Sequence, residues 1–375
     1  MLIQENIQLA EYTTFKIGGP ARFFCAISDE TSLAEAVRFA QAKDLPLFVL
    51  GGGSNILVSD KGFPGLVIKM EIGCIKEQKL EARSLKLEEK QEQSNIPSSS
   101  KLQAPSSKLP EHGSKFPASV LVSAGAGELW DGFVDWTVER GFYGIENLSA
   151  IPGTVGAAPV QNIGAYGAEA SQAVSSVRAL DTKSMKFVEL ANPDCGFAYR
   201  DSVFKRERGR YVITRVDFSL SKNGNVNTAY KDLREHFTRL QLTDPTIRQV
   251  RDAVIAVRWH KLPDWKLWGT AGSFFKNPIV SAERFQELKA KYPDLPGFTE
   301  PDRRIKVSLG WILDKVCDVK GLKMGKASVY EKQALVLVAM SGTSAEEVVR
   351  LSQELMKRVR DKTGLDIEGE VEWVN

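Results

Sequence analysis

Apolar positions follow two different periods in the first seventy residues. Leu33, Ala36, Val37 and Ala40 recur at helical spacing, which predicts a helix with Thr31 or Ser32 as its N-cap. Short apolar runs, typical of buried strands, lie at residues 21–27, 47–50, 56–58 and 66–68. The pattern therefore predicts an α+β unit at the start of the chain.

The pattern changes between residues 75 and 117, where Lys, Glu, Gln, Ser and Pro dominate. After Gln91 the only large apolar residues of this stretch are Ile96, Leu102, Leu109 and Phe116. Such a segment cannot bury enough surface to offset the entropy of ordering it. We interpret residues 75–117 as a mobile insertion between two strands, and not as a domain.

Regular patterns return after the insertion. Strands are predicted at residues 119–122, 177–180, 187–190, 211–220 and 367–374. Helices are predicted at residues 128–140, from Asp244-Pro245 onward, from Ser281 to Tyr292, and between a Ser344–Glu347 capping box and Gly364. Alternation of helices and strands over this length predicts two or three α+β domains.

Composition narrows the class of protein. The 375 residues are 43% apolar and 26% charged, with a net charge of +3, which is a soluble globular balance. No basic block favours nucleic acid, no apolar run has membrane-spanning length, and the N-terminus has no export signal. Cysteines and histidines form no CxxC, HxH or HExxH pattern, so we expect no metal site. We expect a cytoplasmic protein.

The first candidate site is the loop Gly51-Gly52-Gly53-Ser54-Asn55, directly after a predicted strand. Consecutive backbone N–H groups in a glycine turn form a nest for an anion such as a pyrophosphate. Ile56 stands where the dinucleotide fingerprint needs a third glycine, and the Lys-Ser/Thr of a P-loop is absent. By itself a triple glycine favours a plain flexible turn over an anion site.

The second candidate site is the uncharged, small-residue segment from Ile151 to Gly167. Small side chains permit the backbone to approach a planar or phosphorylated ligand, and Gln161, Asn162 and Tyr166 offer polar contacts. The alternative is a tightly packed corner between loop and helix.

Three shorter segments carry reactive side chains. Ser273 lies between a glycine and two phenylalanines and lacks the GxSxG elbow, so its hydroxyl is a candidate donor and not an acyl nucleophile. Taken alone, this segment favours the alternative of a strand edge beside a turn. Arg200 is suited to clamp a carboxylate or phosphate, or simply to pair with Asp201. Glu370 belongs to alternating carboxylates that are typical of a solvated face, with a buried acid as the alternative.

Taken together, these segments resemble the UDP-N-acetylenolpyruvoylglucosamine reductase family. The matching stretches, in the family's order, are residues 14–21, 51–55, 151–167, 199–202, 272–278, 333–337 and 368–371. Tyr230 resembles the tyrosine of a loop that covers the substrate in the longer form of this family. The insertion is longer than the family pattern.

The resemblance implies an α+β fold: an FAD-binding fold of the vanillyl-alcohol oxidase/p-cresol methylhydroxylase type with two subdomains, and a third α+β, substrate-binding domain. We expect residues 1–72 with 365–375 in the first subdomain, residues 73–262 in the second, and residues 263–364 in the substrate-binding domain.

The resemblance also implies a reaction in two halves. NADPH reduces bound FAD, and the flavin then passes hydride from N5 to the enolpyruvyl methylene of UDP-N-acetylglucosamine enolpyruvate, giving UDP-N-acetylmuramate for peptidoglycan synthesis. Arg200 and Glu370 match the family residues beside the developing negative charge, where preorganised charge lowers the barrier most. Ser273 matches the proton donor.

Further residues match binding positions of the family. For FAD they are Gly51, Gly52, Gly53, Ser54, Asn55, Ile151, Pro152, Gly153, Thr154, Gly156, Ala157, Gln161, Asn162, Gly164, Ala165, Tyr166 and Tyr199; for the substrate they are Tyr230, Lys261, Asn277 and Gln333. We expect a monomer. The alternatives are another FAD-dependent oxidoreductase of the same fold and a non-catalytic flavin-binding protein, and the presence of Ser273, Arg200 and Glu370 together disfavours both.

Overall fold

The computed structural model describes residues 1–78 and 119–375. Residues 79–117 of the predicted insertion lie outside the described part. Ile75–Gln78, which we assigned to the insertion, instead form a strand that pairs antiparallel with residues 121–124. The prediction was wrong at these four residues because backbone pairing, which composition does not report, orders them.

The first region contains a four-stranded mixed sheet with one helix. Its elements are β1 (Gln4–Gln8), β2 (Pro20–Ile27), α1 (Glu30–Ala42), β3 (Leu47–Leu50), β4 (Ile56–Val58) and β5 (Phe63–Met70). The sheet order is β1-β2-β5-β3, with β2 and β3 both parallel to β5. Asp29 caps α1 by accepting a hydrogen bond from the Ser32 N–H, so the predicted cap at Thr31 or Ser32 was wrong by two or three residues.

The second region contains an antiparallel sheet and the helices that precede the third region. Its elements are β6 (Ile75–Gln78), β7 (Ser119–Gly125), α2 (Trp130–Glu139), β8 (Gly164–Ala165), β9 (Ala168–Glu169), β10 (Val174–Asp181), β11 (Lys186–Ala191), α3 (Val203–Arg206), β12 (Tyr211–Ser221), α4 (Lys231–Arg239) and α5 (Ile247–Lys261). The sheet order is β11-β10-β12-β7-β6. Thr246 and Gln249 form the capping box of α5, so the predicted start at Asp244-Pro245 was wrong.

The third region contains two small antiparallel sheets and the longest helix of the described residues. Its elements are β13 (Ile279–Val280), α6 (Ala282–Lys291), β14 (Gly297–Thr299), β15 (Ile305–Val307), α7 (Leu309–Trp311), β16 (Lys323–Met324), β17 (Ala327–Val329), β18 (Leu337–Ala339), α8 (Ala345–Thr363) and β19 (Glu372–Val374). The predicted Ser281 cap, the Ser344–Glu347 capping box and the Gly364 stop are all confirmed.

Two large hydrophobic cores hold these regions together. One joins Leu33 and Val37 of α1 to Val122, Trp130 and Phe133 of the second region. The other joins the third region to Phe15, Ile17 and Leu57 of the first. Because each core crosses a boundary between regions, burial fixes the three regions around one central cleft.

The chain ends by returning to the first region, where β19 pairs in parallel with β4. The predicted strand over residues 367–374 is confirmed only at Glu372–Val374. The five preceding residues run past the third region, where Gly369 forms an isolated bridge with Phe275. Among the helices of the described residues, none is long and apolar enough to cross a membrane.

Candidate active site

A cleft with a cavity of about 400 Å³ lies where the three regions meet. Its lining includes these predicted residues: 51–55, 151–154, Gly156, Ala157, Gln161, Gly164, Ala165, Tyr199, Arg200, Ser273, Asn277 and Glu370. Segments separated by up to about three hundred positions in the chain therefore line one cavity.

The glycine loop forms one wall because its backbone touches other backbone directly. A Cβ on Gly52 would lie 2.6 Å from the Cα of Gly153, and a Cβ on Gly53 would lie 2.0 Å from the carbonyl oxygen of Tyr12. Gly53 also has a φ of +62°, which L side chains rarely adopt. These contacts explain why glycine is required here and bring the two predicted glycine motifs together.

The segment after Ile151 forms the facing wall and is fastened at its base. The Val155 N–H donates to the Glu128 carbonyl at 2.8 Å, and the Gly156 N–H donates to the Ala126 carbonyl at 2.9 Å. Ser54 Oγ donates to the Pro152 carbonyl at 2.8 Å, which ties this wall to the glycine loop. The small-residue run is thus a cleft wall and a packed corner at once.

Asn55 connects three distant segments with one amide group. Its Nδ2 donates to Gln161 Oε1 at 2.5 Å and to the carbonyl oxygen of Glu370 at 3.1 Å. This side chain therefore holds the glycine loop, the small-residue segment and the C-terminal segment in one arrangement.

The walls fit a large, partly polar ligand such as FAD. Thr154 is 3% exposed, and its Oγ1 has no hydrogen-bond partner in the described part of the chain. A Cβ on Gly51 would lie 2.7 Å from that hydroxyl, so larger residues at position 51 would close the space. A buried polar atom without a partner, in a cleft that small residues keep open, is what a bound polar ligand satisfies.

Arg200 and Glu370 form a buried ion pair in this cleft. Arg200 Nε lies 2.8 Å from Glu370 Oε1, and the two side chains are 17% and 13% exposed. The Nε–H is not aligned for a hydrogen bond with that oxygen, so the contact is ionic. Arg200 Nη2 also donates to the Gly164 carbonyl at 2.7 Å, which fixes the guanidinium plane.

The surroundings of Glu370 have opposing effects on its charge. Burial raises the pKa of the carboxyl group above its usual range, and the positive charges of Arg200, Lys205 and Lys276 offset part of that rise. The sequence predicted either a solvated face or a buried acid at Glu370, and the structure shows the buried acid. Glu368, two residues earlier, is 79% exposed and lies 3.5 Å from Lys276 Nζ.

Ser273 lies on a chain segment next to Glu370. Ser273 forms an isolated bridge with Val336, and the adjacent Phe274 carbonyl accepts the Glu370 N–H at 2.8 Å. No residue in 1–78 or 119–375 forms a hydrogen bond with Ser273 Oγ. The serine hydroxyl, guanidinium and carboxylate therefore line one cavity, although no short sequence motif contains all three.

Five predicted residues are not in the lining of the cavity: Asn162, Tyr166, Tyr230, Lys261 and Gln333. Asn162 is buried and braces the loop, because its Nδ2 donates to Glu169 and Ala198. Tyr166 packs edge-on against Tyr230 at a centroid distance of 5.3 Å, and burial raises the pKa of Tyr166 to about 12. Gln333 Oε1 accepts the N–H of Leu335, within its own turn.

Lys261 likewise does not line the cavity. Its Nζ lies 2.6 Å from Asp232 Oδ2 in α4, which follows Tyr230 directly. Lys261 and Tyr230 thus belong to one surface beside the cleft, and both are partly exposed.

Three cations in the lining were missed by sequence reasoning: Lys205, Arg208 and Arg258. Lys205 is three residues from the recognised Tyr199–Ser202 motif, so extending that motif by one helical turn would have found it. Arg258 is three residues before Lys261 on α5 and donates from Nε to the Ala150 carbonyl at 3.2 Å. Only the tertiary structure brings it to the cleft.

Two family models match this chain. Residues 263–374 match the C-terminal domain of UDP-N-acetylenolpyruvoylglucosamine reductase, and residues 110–188 match an FAD binding domain. The chain of UDP-N-acetylenolpyruvylglucosamine reductase from Thermus caldophilus matches with a TM-score of 0.62 and 24% identity, with both chains fully covered. The predicted α+β, FAD-binding fold with a third, C-terminal domain is confirmed.

Relatives of the same printed name match over nearly the whole chain. UDP-N-acetylenolpyruvoylglucosamine reductase from Neisseria gonorrhoeae is 40% identical, covering 99% of this chain and 97% of its own. The protein of that name from Pseudomonas aeruginosa is 38% identical, with 98% of each chain covered. This identity and coverage confirm the resemblance, and the chain belongs to the UDP-N-acetylenolpyruvoylglucosamine reductase family.

Proposed function

We propose that this protein uses NADPH and bound FAD to reduce UDP-N-acetylglucosamine enolpyruvate to UDP-N-acetylmuramate in peptidoglycan precursor synthesis. The observation that carries the proposal is the buried Arg200–Glu370 ion pair beside Ser273, in a cleft with glycine walls. Membership of the reductase family supports the same reaction.

The glycine loop and the small-residue segment are the groups that hold FAD. Backbone N–H groups at Gly51–Gly53 suit its pyrophosphate, and the Thr154 hydroxyl is free to meet a polar edge. When bound, FAD supplies the hydride transfer from the nicotinamide to the substrate carbon, which side chains cannot perform.

Each catalytic side chain has a role that its surroundings support. Arg200 places positive charge where negative charge develops beside the substrate carboxylate, and burial strengthens that interaction. Glu370 holds the guanidinium through its contact with Nε at 2.8 Å. Ser273 Oγ donates a proton to the carbon that becomes basic, and its free hydroxyl suits this transfer.

Residues around the mouth of the cleft hold the substrate. Asn277 lines the cavity, and its Nδ2 lies 3.5 Å from the Tyr199 hydroxyl. Lys261 offers an ammonium group to a pyrophosphate or phosphate, and Tyr230, which is 44% exposed, covers the sugar. Gln333 is the last of these residues, and its carbonyl accepts the N–H of Val336, the bridge partner of Ser273.

The remaining proposals concern organisation. The return of β19 to β4 supports a first subdomain built from residues 1–72 and 365–375, followed by residues 73–262 and 263–364. We place the enzyme in the cytoplasm as a monomer, and light scattering of the purified protein tests its oligomeric state.

Anaerobic stopped-flow absorbance of the flavin tests this function. NADPH should bleach the purified yellow protein, and the enolpyruvyl sugar should restore the colour without consumption of oxygen. Ser273→Ala should leave bleaching near the parent rate and slow reoxidation about 100-fold or more, since a general acid contributes a factor of this order. Ser184→Ala, at an exposed serine of a turn, is the matched control.

Two outcomes contradict the proposal. A protein that takes up no FAD, or that is reoxidised by oxygen and not by the enolpyruvyl sugar, does not perform this reaction. Equal slowing of both half-reactions in Ser273→Ala excludes the proton-donor role while leaving the overall reaction standing.

A further inference from the structure

A half-buried lysine contacts the backbone of the catalytic arginine. Lys205, in the short helix α3, donates from Nζ to the carbonyl oxygen of Arg200 at 3.0 Å, and its side chain lines the cavity. Arg200 has a φ of +54°, a left-handed conformation that costs a residue with a side chain roughly 1 kcal/mol or more. The hydrogen bond from Lys205 therefore holds the strained backbone of Arg200 in place.

The charges around Lys205 leave its ammonium group without a carboxylate of its own. No carboxylate in residues 1–78 or 119–375 lies within 4.0 Å of Nζ. The three nearby acids pair with other cations: Asp201 with Arg206, Glu372 with Arg208, and Glu370 with Arg200. Burial lowers the pKa of Lys205, Lys276 lowers it further, and Glu370, Asp201 and Glu372 raise it. A half-buried cation at a cavity wall that has a carbonyl partner but no carboxylate partner carries a desolvation cost, which a negatively charged group in the cavity would offset.

We propose that Lys205 is a positioning residue of the reductase reaction: it fixes the Arg200 backbone and adds positive charge beside the Arg200–Glu370 pair, where the substrate carboxylate is held. This inference rests on the proposed function. In this proposal two cations, Arg200 and Lys205, act on the substrate carboxylate, and Lys205 also holds the backbone of Arg200.

The structural alternative is that Lys205 only completes the turn of α3. In that turn Ser202 is the N-cap and accepts the Lys205 N–H at 3.3 Å, a backbone contact that any residue at position 205 would keep. Substitutions of the side chain therefore separate the two roles, since they leave the cap in place.

Three substitutions of Lys205 separate the effect of its charge from the effect of its hydrogen-bond donor. Lys205→Met removes charge and donor, Lys205→Gln keeps a donor without charge, and Lys205→Arg keeps both. Lys186→Met, at an exposed lysine at the start of β11, is the matched control. Flavin content and thermal unfolding of each variant report on folding independently of rate.

The half-reactions give the decisive readout. Lys205→Met should slow reoxidation by the enolpyruvyl sugar about 10-fold or more, because a preorganised charge beside the reacting group contributes a factor of this order or larger. Reduction by NADPH should stay near the parent rate. Lys205→Gln should also be slow, and Lys205→Arg and Lys186→Met should react like the parent.

The pH profile of reoxidation provides a readout that a packing role would not move. Lys205 lowers the pKa of Glu370, so its removal should let that pKa rise and shift the acidic limb to higher pH. The groups that face Glu370 are Arg200, Lys205 and Lys276, and only Lys205 changes in this series.

Three results would overturn the inference: reoxidation in Lys205→Met at the parent rate, Lys205→Arg as slow as Lys205→Met, or equal slowing of both half-reactions. A Lys205→Met protein that does not fold leaves the decision to Lys205→Gln and Lys205→Arg. If the parent protein itself does not react with the enolpyruvyl sugar, the proposed function is refuted. That result differs from every result for the variants, because it does not depend on Lys205.

Discussion

The Arg251 clamp gives a prediction whose size follows from the structure. Arg251 on α5 has 7% of its side chain exposed and binds two acids of α2. Nη1 and Nη2 donate to the Asp131 carboxylate at 2.6 and 3.2 Å, and Nε donates to Asp135 at 2.9 Å. Asp131 Oδ1 in turn accepts the Ala150 N–H at 2.6 Å, at the entrance to the small-residue wall of the cleft.

Arg251→Met should lower the free energy of unfolding by about 2–3 kcal/mol. Breaking a fully buried ion pair costs about 3–5 kcal/mol. The cost here is smaller because Asp131 and Asp135 are 42% and 39% exposed and regain water once the arginine is gone. Loss of the fixed Asp131 carboxylate should also loosen Ala150, which has a φ of +57°, and weaken FAD binding several-fold.

Arg248→Met is the matched control, because it removes an arginine from the same helix and from the same acid. Arg248 Nη1 donates to Asp135 at 2.8 Å, but its side chain is 44% exposed, so its loss should cost less than about 1 kcal/mol. Urea unfolding measures both variants, and flavin fluorescence titration measures FAD affinity. Equal destabilisation by the two substitutions would refute the reasoning from burial.

Two further substitutions test the cleft wall and the sheet of the second region. Gly52→Ala should weaken FAD binding more than about 10-fold in fluorescence titration, because the new Cβ would meet the Gly153 backbone at 2.6 Å. Gly132→Ala in α2, where the new Cβ has only a 3.9 Å contact, should instead stabilise the protein by roughly 0.5–1 kcal/mol. Equal FAD affinities of the two variants would contradict the effect of the Gly52–Gly153 contact. Burial by itself raises the pKa of Asp217, but hydrogen bonds from Arg215, Ser123 and Ser176 lower it overall. The ionised carboxylate therefore stabilises the folded protein above about pH 4, and this stabilisation is lost as pH falls through the lowered folded-state pKa. Asp217→Asn should therefore cost about 1–3 kcal/mol in urea unfolding at pH 7 and progressively less below pH 4, and a difference independent of pH would rule out the charge as its cause.

Much of the local structure follows from the sequence because its causes are local. The Ser344–Glu347 capping box and the Gly364 stop define α8 through contacts made within one helical turn. Apolar runs such as residues 66–68 became strands because a continuous apolar segment needs burial on both faces. The family resemblance identified Ser273, Arg200 and Glu370 from motif and order, without their geometry.

Local rules failed where a neighbouring side chain or backbone competed. Asp29 and not Ser32 is the N-cap of α1, and Thr246 and not Asp244 is the N-cap of α5. Each segment contains several side chains that can accept hydrogen bonds from the first N–H groups of a helix, so the sequence alone does not say which one does. Composition likewise gave no sign that Ile75–Gln78 pair with β7, since strand pairing depends on a partner more than forty residues away.

The sequence by itself determined which residues are able to bind an anion, donate a proton or carry a charge, because those properties belong to the side chain. Only the tertiary structure decided which of them meet. Asn55 joins three segments, Glu370 lines the cleft while Glu368 stays in water, and Arg258 enters the lining from a helix without a motif. Burial and long-range contacts set these outcomes, and they depend on the packing of regions far apart in the chain.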